Sequence, residues 1–198
     1  YTREGCWKYG APSGKGGDLG GNDPFSGFTG SNVYGTSFDG GYPDNIIETQ
    51  YLTTSGIDCT GGSDTILTFR QWLSVQNSDH AMIDASSGWV SWNTLWRNPG
   101  YDLSAEEWSG KIISISETAD YQEDVKIRWG IGPTDVSGNM GGWNIDDIII
   151  YQIPGGTLEY IIDNDEPGFS MEGAWGTSTQ GVPYGSTKRY SNKGEGTS

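Results

Sequence analysis

Two stretches of this sequence, residues 65–72 and 125–129, alternate apolar and polar side chains. A period of two is typical of a β-strand with one face on a core and the other in water. Further runs rich in β-branched and aromatic residues predict strands over 46–53, 64–75, 81–85, 111–116 and 124–130. No window has an apolar stripe of period 3.6, and the best helical candidate is the short segment 104–108. We therefore predict an all-β chain folded as a two-sheet jelly-roll sandwich with a short extra β tail.

The composition narrows the classes of partner. The 198 residues include 32 glycines, about twice the usual share, with 9 Trp and 11 Tyr. The 11 basic and 26 acidic residues give a net charge of −15, which argues against nucleic-acid binding and against attraction to anionic membranes. We find no signal peptide and no apolar run long enough to span a bilayer. Because the chain opens at Tyr1, we expect a processed or trimmed fragment.

Residues 141–151 contain two glycines followed by a strand-like run with two adjacent carboxylates, Asp146 and Asp147. Strand alternation predicts one inward and one outward side chain. An inward carboxylate between apolar neighbours must be paired, hydrogen-bonded or bound to a cation, because an isolated buried charge is very costly. Two interpretations stay open: a carboxylate bonded to backbone N–H groups of a neighbouring loop, or a structural cation site.

The motif Gly-Trp-x-Ile-Asp-Asp-Ile at 142–148 resembles the closing strand of MAM-like jelly-roll domains. These occur in secreted bacterial proteins, including cleaved-adhesin domains and modules beside immune-inhibitor-A-type proteases and polysaccharide-degrading enzymes. The resemblance extends in order over residues 6–151, through 7–12, 32–36 and 51–58. It implies a jelly roll and a structural calcium ion near the closing strand. We expect Asp146 and Asp147 to hold this Ca²⁺ first, with weaker partners in Asp23, Asp39 and Asp44.

The strand pattern breaks at residues 153–156, so we predict a boundary between a jelly-roll domain, 1–153, and a segment 154–198. Residues 158–190 resemble the opening of golvesin-type β-sandwich domains, which accompany xanthan lyases and other secreted enzymes. So short a segment cannot usually sustain its own core. The tail is therefore truncated, disordered or completed by strands of another chain, and the last case would make the protein a subunit of an assembly.

Cys6 and Cys59 are the only cysteines. Neither belongs to a Cys-x-x-Cys pair, which argues against a zinc site. We predict a disulfide between them, which would stabilise the fold by about 4 kcal/mol in the chain-entropy model and favour an extracellular setting. The alternative is two separate buried thiols.

The sequence contains no convincing catalytic site. The sole histidine, His80, follows Asp79 without any Gly-x-Ser-x-Gly or His-Glu-x-x-His motif elsewhere. Acid pairs such as Glu106/Glu107 are typical of solvated charge. We therefore predict that the chain is not an enzyme.

An aromatic cluster over residues 88–98 predicts a sugar-binding surface, because sugar rings stack on aromatic faces while amides and charged groups bind hydroxyls. The predicted ligand residues are Trp96, Trp89, Arg97 and Asn98. We assign Trp72, Trp129 and Trp143 to the core, because large aromatic residues dominate cores. The resemblance implies that Trp92, which is followed by Thr and Leu in the related domains, also belongs to the core. The predicted function is a non-catalytic extracellular module that binds glycan or a protein surface. The alternatives are an assembly subunit paired through its tail, or a fragment of a secreted protease or polysaccharide lyase.

Overall fold

The computed structural model of the chain describes residues 1–88 and 91–153, together with two later strands. The chain divides into two units, Tyr1–Gly156 and Thr157–Ser198. No helix in the described part has the length and apolar character that crossing a bilayer requires.

The first unit is a sandwich of two antiparallel, five-stranded sheets. The first sheet has the spatial order β1 (Thr2–Arg3), β4 (Gln50–Thr53), β9 (Val125–Ile131), β6 (Ala81–Ser87) and β7 (Asn93–Arg97). The second has the order β2 (Lys8–Gly10), β3 (Val33–Gly35), β10 (Gly142–Ile153), β5 (Ser63–Ser74) and β8 (Ser109–Ser114). The predicted all-β, two-sheet jelly-roll sandwich is confirmed.

In the second unit, β11 (Trp175–Ser178) pairs antiparallel with β12 (Arg189–Asn192). The rest of the resemblance over 158–190 lies outside the described residues. The expectation that the tail pairs with another chain therefore stays a prediction.

The core forms where the inward rows of the two sheets meet. On β5, alternation places Leu67, Phe69 and Leu73 inward, and the Phe69 ring meets Trp129 of β9 edge to face with 5.5 Å between ring centroids. Trp129 and Trp143 are both fully buried, which confirms their assignment to the core. Each large apolar side chain buried in this way stabilises the fold by about 1.5–3 kcal/mol.

Two tryptophans assigned to the core are not in it. Trp72 occupies the outward row of β5, one position away from the inward row, and its indole N–H donates to the Asn22 carbonyl at 2.6 Å. Trp92 is half-buried, and the Arg128 guanidinium lies 3.9 Å from its ring centroid. Both side chains thus contact polar or charged groups outside the core, so their assignment to the core was wrong.

Local structure also differs from prediction after β7. Residues 104–108, the helical candidate, have no regular structure, because Leu103 forms a β-bridge with Val75 and Ala105 N donates to the Ser74 hydroxyl. The one helix among the described residues is α1 (Ser116–Ala119). The edge strand β7 was not predicted.

The predicted disulfide does not form, and both cysteines are free thiols. Cys6 N donates to Gln50 Oε1, and Gln50 lies opposite the last residue of β9. Cys59 lies two positions beyond Ile57, which is opposite the first residue of β9. The cysteines are thus tied to opposite ends of a strand about 20 Å long. A disulfide needs Cα atoms within about 7 Å, so this pairing was wrong.

Candidate functional site

A cleft of about 460 Å³ is lined jointly by β7, an edge strand of the first sheet, and by β8 and β5 of the second. The segment between β7 and β8 completes its wall. We call it the edge cleft. The side chains that give it its chemistry are Gln71, Trp96, Arg97, Tyr101, Ser109 and Lys111.

Trp96 lines the edge cleft and also packs on the core. It lies opposite Ile83 of β6, on the inward side of the first sheet, and its ring centroid is 5.7 Å from that of Trp143. Lys111 Nζ lies 5.4 Å from the Trp96 ring centroid. The predicted ligand residue is therefore at a cleft, but part of its ring surface is already in contact with protein.

The other predicted ligand residues differ in whether their side chains are available to a ligand in the edge cleft. Arg97 is exposed and lines the edge cleft, and its Nη2 donates to the Thr94 hydroxyl at 3.4 Å. Asn98 instead uses both ends of its amide on backbone, accepting from Ala81 N and donating to Asp79 O at 2.9 Å each. Asn98 thus positions the end of β7. Trp89 lies outside the described residues.

Four of these six cleft residues were not predicted: Gln71, Tyr101, Ser109 and Lys111. Gln71 belongs to the inward row of β5 between Phe69 and Leu73, is 6% exposed, and has a buried Oε1 without a hydrogen-bond partner. A long polar side chain between two apolar residues of this row was a signal available in the sequence. Tyr101, 64% exposed in the segment between β7 and β8, and Lys111 on β8 carried no such signal, because only the folded chain brings them to one cleft.

Asp146 and Asp147, the predicted cation ligands, meet at one loop residue, Thr29. Thr29 N donates to Asp146 Oδ2 at 3.2 Å, and the Thr29 hydroxyl donates to Asp147 Oδ1 at 2.6 Å. Strict alternation would have separated the two carboxylates. However, β10 has a bulge between Asp146 and Ile149, with Asp147 in the left-handed region at φ 46°. The prediction of one inward and one outward side chain was therefore wrong.

Oxygen atoms also converge around Gly27, beside Asp146. A Cβ added to this glycine would lie 2.4 Å from Thr29 O, 2.8 Å from Asp146 Oδ2 and 3.2 Å from Asn32 O. Burial raises the pKa of Asp146, and N–H donors from Asp147 and Thr29 partly offset this. The backbone N–H bonds match the first interpretation of this carboxylate. The carbonyl and carboxylate oxygens are also ligands of the kind that calcium takes.

The remaining predicted cation ligands lie elsewhere. Asp23 Oδ1 accepts from Asn144 Nδ2 at 2.6 Å, Asp39 is exposed near Lys15, and Asp44 accepts from the Asn139 amide at 3.2 Å. No group of three or more His, Cys, Asp or Glu side chains is placed to hold a metal ion within the residues that the structure describes. The structure thus brings together only Asp146 and Asp147 of the predicted set.

His80 is exposed, and the carboxylate of the adjacent Asp79 is engaged elsewhere. Asp79 Oδ2 accepts from the Tyr42 hydroxyl at 2.5 Å, and Oδ1 accepts from Asp135 N at 2.9 Å. This arrangement holds loops together and does not orient an imidazole.

No protein-family model matches the chain, and no curated protein sequence matches it. Among solved structures it is similar to the K1 cleaved adhesin domain of Lys-gingipain from Porphyromonas gingivalis W83, with 16% identity and a TM-score of 0.46 over 74% of this chain and 83% of that one. It is also similar to a carbohydrate-binding module of the β-sandwich superfamily, with 15% identity and a TM-score of 0.45 over 75% of this chain and 58% of that one.

A third similar structure is the non-crystalline cellulose specific module CBM28, with 14% identity and a TM-score of 0.41 over 73% of this chain and 86% of that one. These similarities concern the sandwich alone. What each neighbour binds is a property of that neighbour, so the site is argued from this chain's own geometry.

Proposed function

We propose that this chain is a non-catalytic carbohydrate-binding module whose glycan occupies the edge cleft. The observation that carries the proposal is the pairing of an exposed aromatic ring, Tyr101, with a buried unpaired acceptor, Gln71 Oε1, in one cleft. A sugar offers both complements, since its C–H face stacks on an aromatic ring and its hydroxyls donate hydrogen bonds.

The energetics favour a hydroxyl-bearing ligand. A buried acceptor without a partner costs about 1–3 kcal/mol, and a ligand hydroxyl that reaches Gln71 Oε1 would offset this cost. The cleft volume of about 460 Å³ falls within the range of small-molecule sites, about 300–1,000 Å³. A short stretch of glycan therefore fits the cleft better than an extended protein surface does.

The wider setting belongs to the same proposal. The motif at 142–148 and the ordered series over 6–151 support placing the chain among MAM-like domains of secreted multidomain proteins, with a golvesin-type segment after it. Because Cys6 and Cys59 are free thiols, no disulfide between them supports an oxidising compartment. The extracellular setting therefore rests on the resemblance.

The test is a glycan array followed by titration calorimetry on wild type and two tyrosine variants. Tyr101 and Tyr121 are similarly exposed, 64% and 67%, but only Tyr101 lines the cleft. We expect Tyr101→Ala to weaken binding at least about tenfold, or about 1.4 kcal/mol, without lowering the melting temperature, and Tyr121→Ala to change neither.

Trp96→Ala is the less informative variant because Trp96 also packs against Trp143. The proposal is overturned if no glycan on the array binds wild type. It is also overturned if Tyr101→Ala leaves the affinity for a bound glycan unchanged.

A further inference from the structure

We infer that the edge cleft selects an acidic glycan, one whose sugar carries a carboxylate. The inference rests on the proposed function and specifies its ligand class. Arg97 and Lys111 line the cleft, and no Asp or Glu appears among its described lining residues. Acidic residues outnumber basic ones by 26 to 11 in the chain, so a cleft wall whose charged residues are all basic is unusual for this protein.

Three of the six other cations in residues 1–153 form ion pairs within the protein. Arg128 Nε donates to Asp84 Oδ2 at 2.9 Å, Lys126 pairs with Asp124, and Lys15 lies 4.0 Å from Asp39. Lys111 and Arg97 form no ion pair with any described carboxylate. Their charges are therefore available to a ligand.

Lys111 has the environment of an anion-binding group. It is half-buried on β8, and its ammonium lies 5.4 Å from the Trp96 ring centroid, where the electron-rich ring face favours a positive charge. A charge-assisted hydrogen bond from this ammonium to a ligand carboxylate is roughly twice as strong as a neutral one. The net charge of −15 repels anions at long range, but salt screens that repulsion beyond about 8 Å.

Gln71 adds a second requirement that the ligand must meet. Its buried Oε1 requires a donor, whereas Lys111 and Arg97 require an acceptor. A uronic acid supplies both, because it bears a carboxylate and several hydroxyls on one ring. An acidic peptide also offers carboxylates and backbone N–H donors, but it lacks the sugar C–H face that stacks on the exposed ring of Tyr101.

The experiment is calorimetry with trisaccharides of galacturonic, glucuronic and mannuronic acid, each beside its methyl ester, which removes the negative charge and adds one small methyl group per carboxyl. The variants are Lys111→Met, which keeps an apolar stem, and Lys8→Met, an exposed lysine on the opposite edge strand β2 of the same sheet. We expect at least one free acid to bind wild type about tenfold more tightly than its ester. Lys111→Met should abolish this preference, and Lys8→Met should preserve it.

The outcomes separate this inference from the proposed function. If neutral glycans bind through Tyr101 while no acid exceeds its ester, the acidic selectivity is refuted and carbohydrate binding stands. If no sugar binds, both fail. Equal, Lys111-dependent binding of tri-glutamate would also overturn the inference, since the partner would then be an acidic peptide.

Discussion

Asn144 donates its side-chain N–H to the carboxylate of Asp23 at 2.6 Å, joining positions 121 residues apart in the sequence. Asp23 belongs to the long glycine-rich loop before β3, and Asn144 lies in β10. Asp23 is 2% exposed, its Oδ2 has no hydrogen-bond partner, and burial raises its pKa to about 7. The loop is thus fastened to the sheet by a carboxyl group that the fold favours in its neutral form.

This pKa predicts a stability that falls as pH rises. With an unfolded-state pKa near 3.8, the native state holds a proton on Asp23 that the unfolded chain has already released. The stabilisation is complete below about pH 3.8 and is lost as pH rises through about 7. We expect Asp23→Asn to flatten this slope and to exceed wild-type stability at pH 8 by up to about 4 kcal/mol.

Urea unfolding at pH 5 and pH 8 measures this effect. Asp39→Asn, at an exposed carboxylate, is the control and should keep the wild-type slope. A slope in Asp23→Asn equal to that of wild type would show that another group titrates.

The ion pair of Arg128 and Asp84 predicts a large, non-additive loss of stability. Asp84 is 2% exposed, and the Arg128 guanidinium lies 3.8 Å from the Tyr51 ring centroid and 3.9 Å from that of Trp92. Arg128→Met leaves a buried carboxylate without its cation, so we expect a loss of about 3–5 kcal/mol in urea unfolding. Adding Asp84→Asn should recover much of it.

A surface pair provides the comparison. Lys15 and Asp39 lie 4.0 Å apart with side chains 60% and 82% exposed, so Lys15→Met should change stability by less than about 1 kcal/mol. Simple additivity of the two changes at Arg128 and Asp84 would contradict the coupling.

The oxygen atoms around Gly27 predict stabilisation by calcium. Binding only to the folded state stabilises by about 2.7 kcal/mol when free calcium is a hundred times its dissociation constant. We expect calcium to raise the melting temperature, a chelator to reverse the rise, and Asp146→Asn to abolish the response. Asp39→Asn should retain it. If calcium leaves the melting temperature of wild type unchanged, the prediction of a calcium site here is refuted.

The free cysteines predict two titratable thiols and no effect of reductant. Cys59 is 1% exposed, and burial raises the pKa of the Cys6 thiol to about 12, so both should react slowly in the native protein at pH 8. In urea, a chromogenic aromatic disulfide should report two thiols per chain. If no thiol is detected in urea, or if reductant lowers the melting temperature, the two cysteines form a disulfide after all.

Local periodicity predicted most of the sandwich because strand faces depend on neighbouring residues. The inward row of β5 and the burial of Trp129 follow from alternation alone. The same pattern, applied strictly, would have placed Trp72 outside. The position of Trp72 in the strand, and not the size of its side chain, therefore determines which face it occupies.

The candidate site was less accessible to prediction because it depends on long-range pairing. Lys111 lies beside Trp96 because β8 and β7, the edge strands of two different sheets, are close to each other in the folded chain. The bulge at Asp147 likewise has no local cause visible in the sequence. Sequence patterns predicted Trp96 and Arg97, and the inward row of β5 contained a signal for Gln71, whereas Tyr101 and Lys111 required the packed structure.

The position of β10 constrains the order in which the molecule can be assembled. β10 is the last strand of the sandwich in the sequence, yet it lies in the middle of the second sheet, between β3 and β5. On a ribosome, β2 with β3 and β5 with β8 can emerge only as two separate halves whose inner edges stay unpaired. Residues 142–153 join them last, so a nascent chain stalled before this strand would carry two exposed edges open to aggregation.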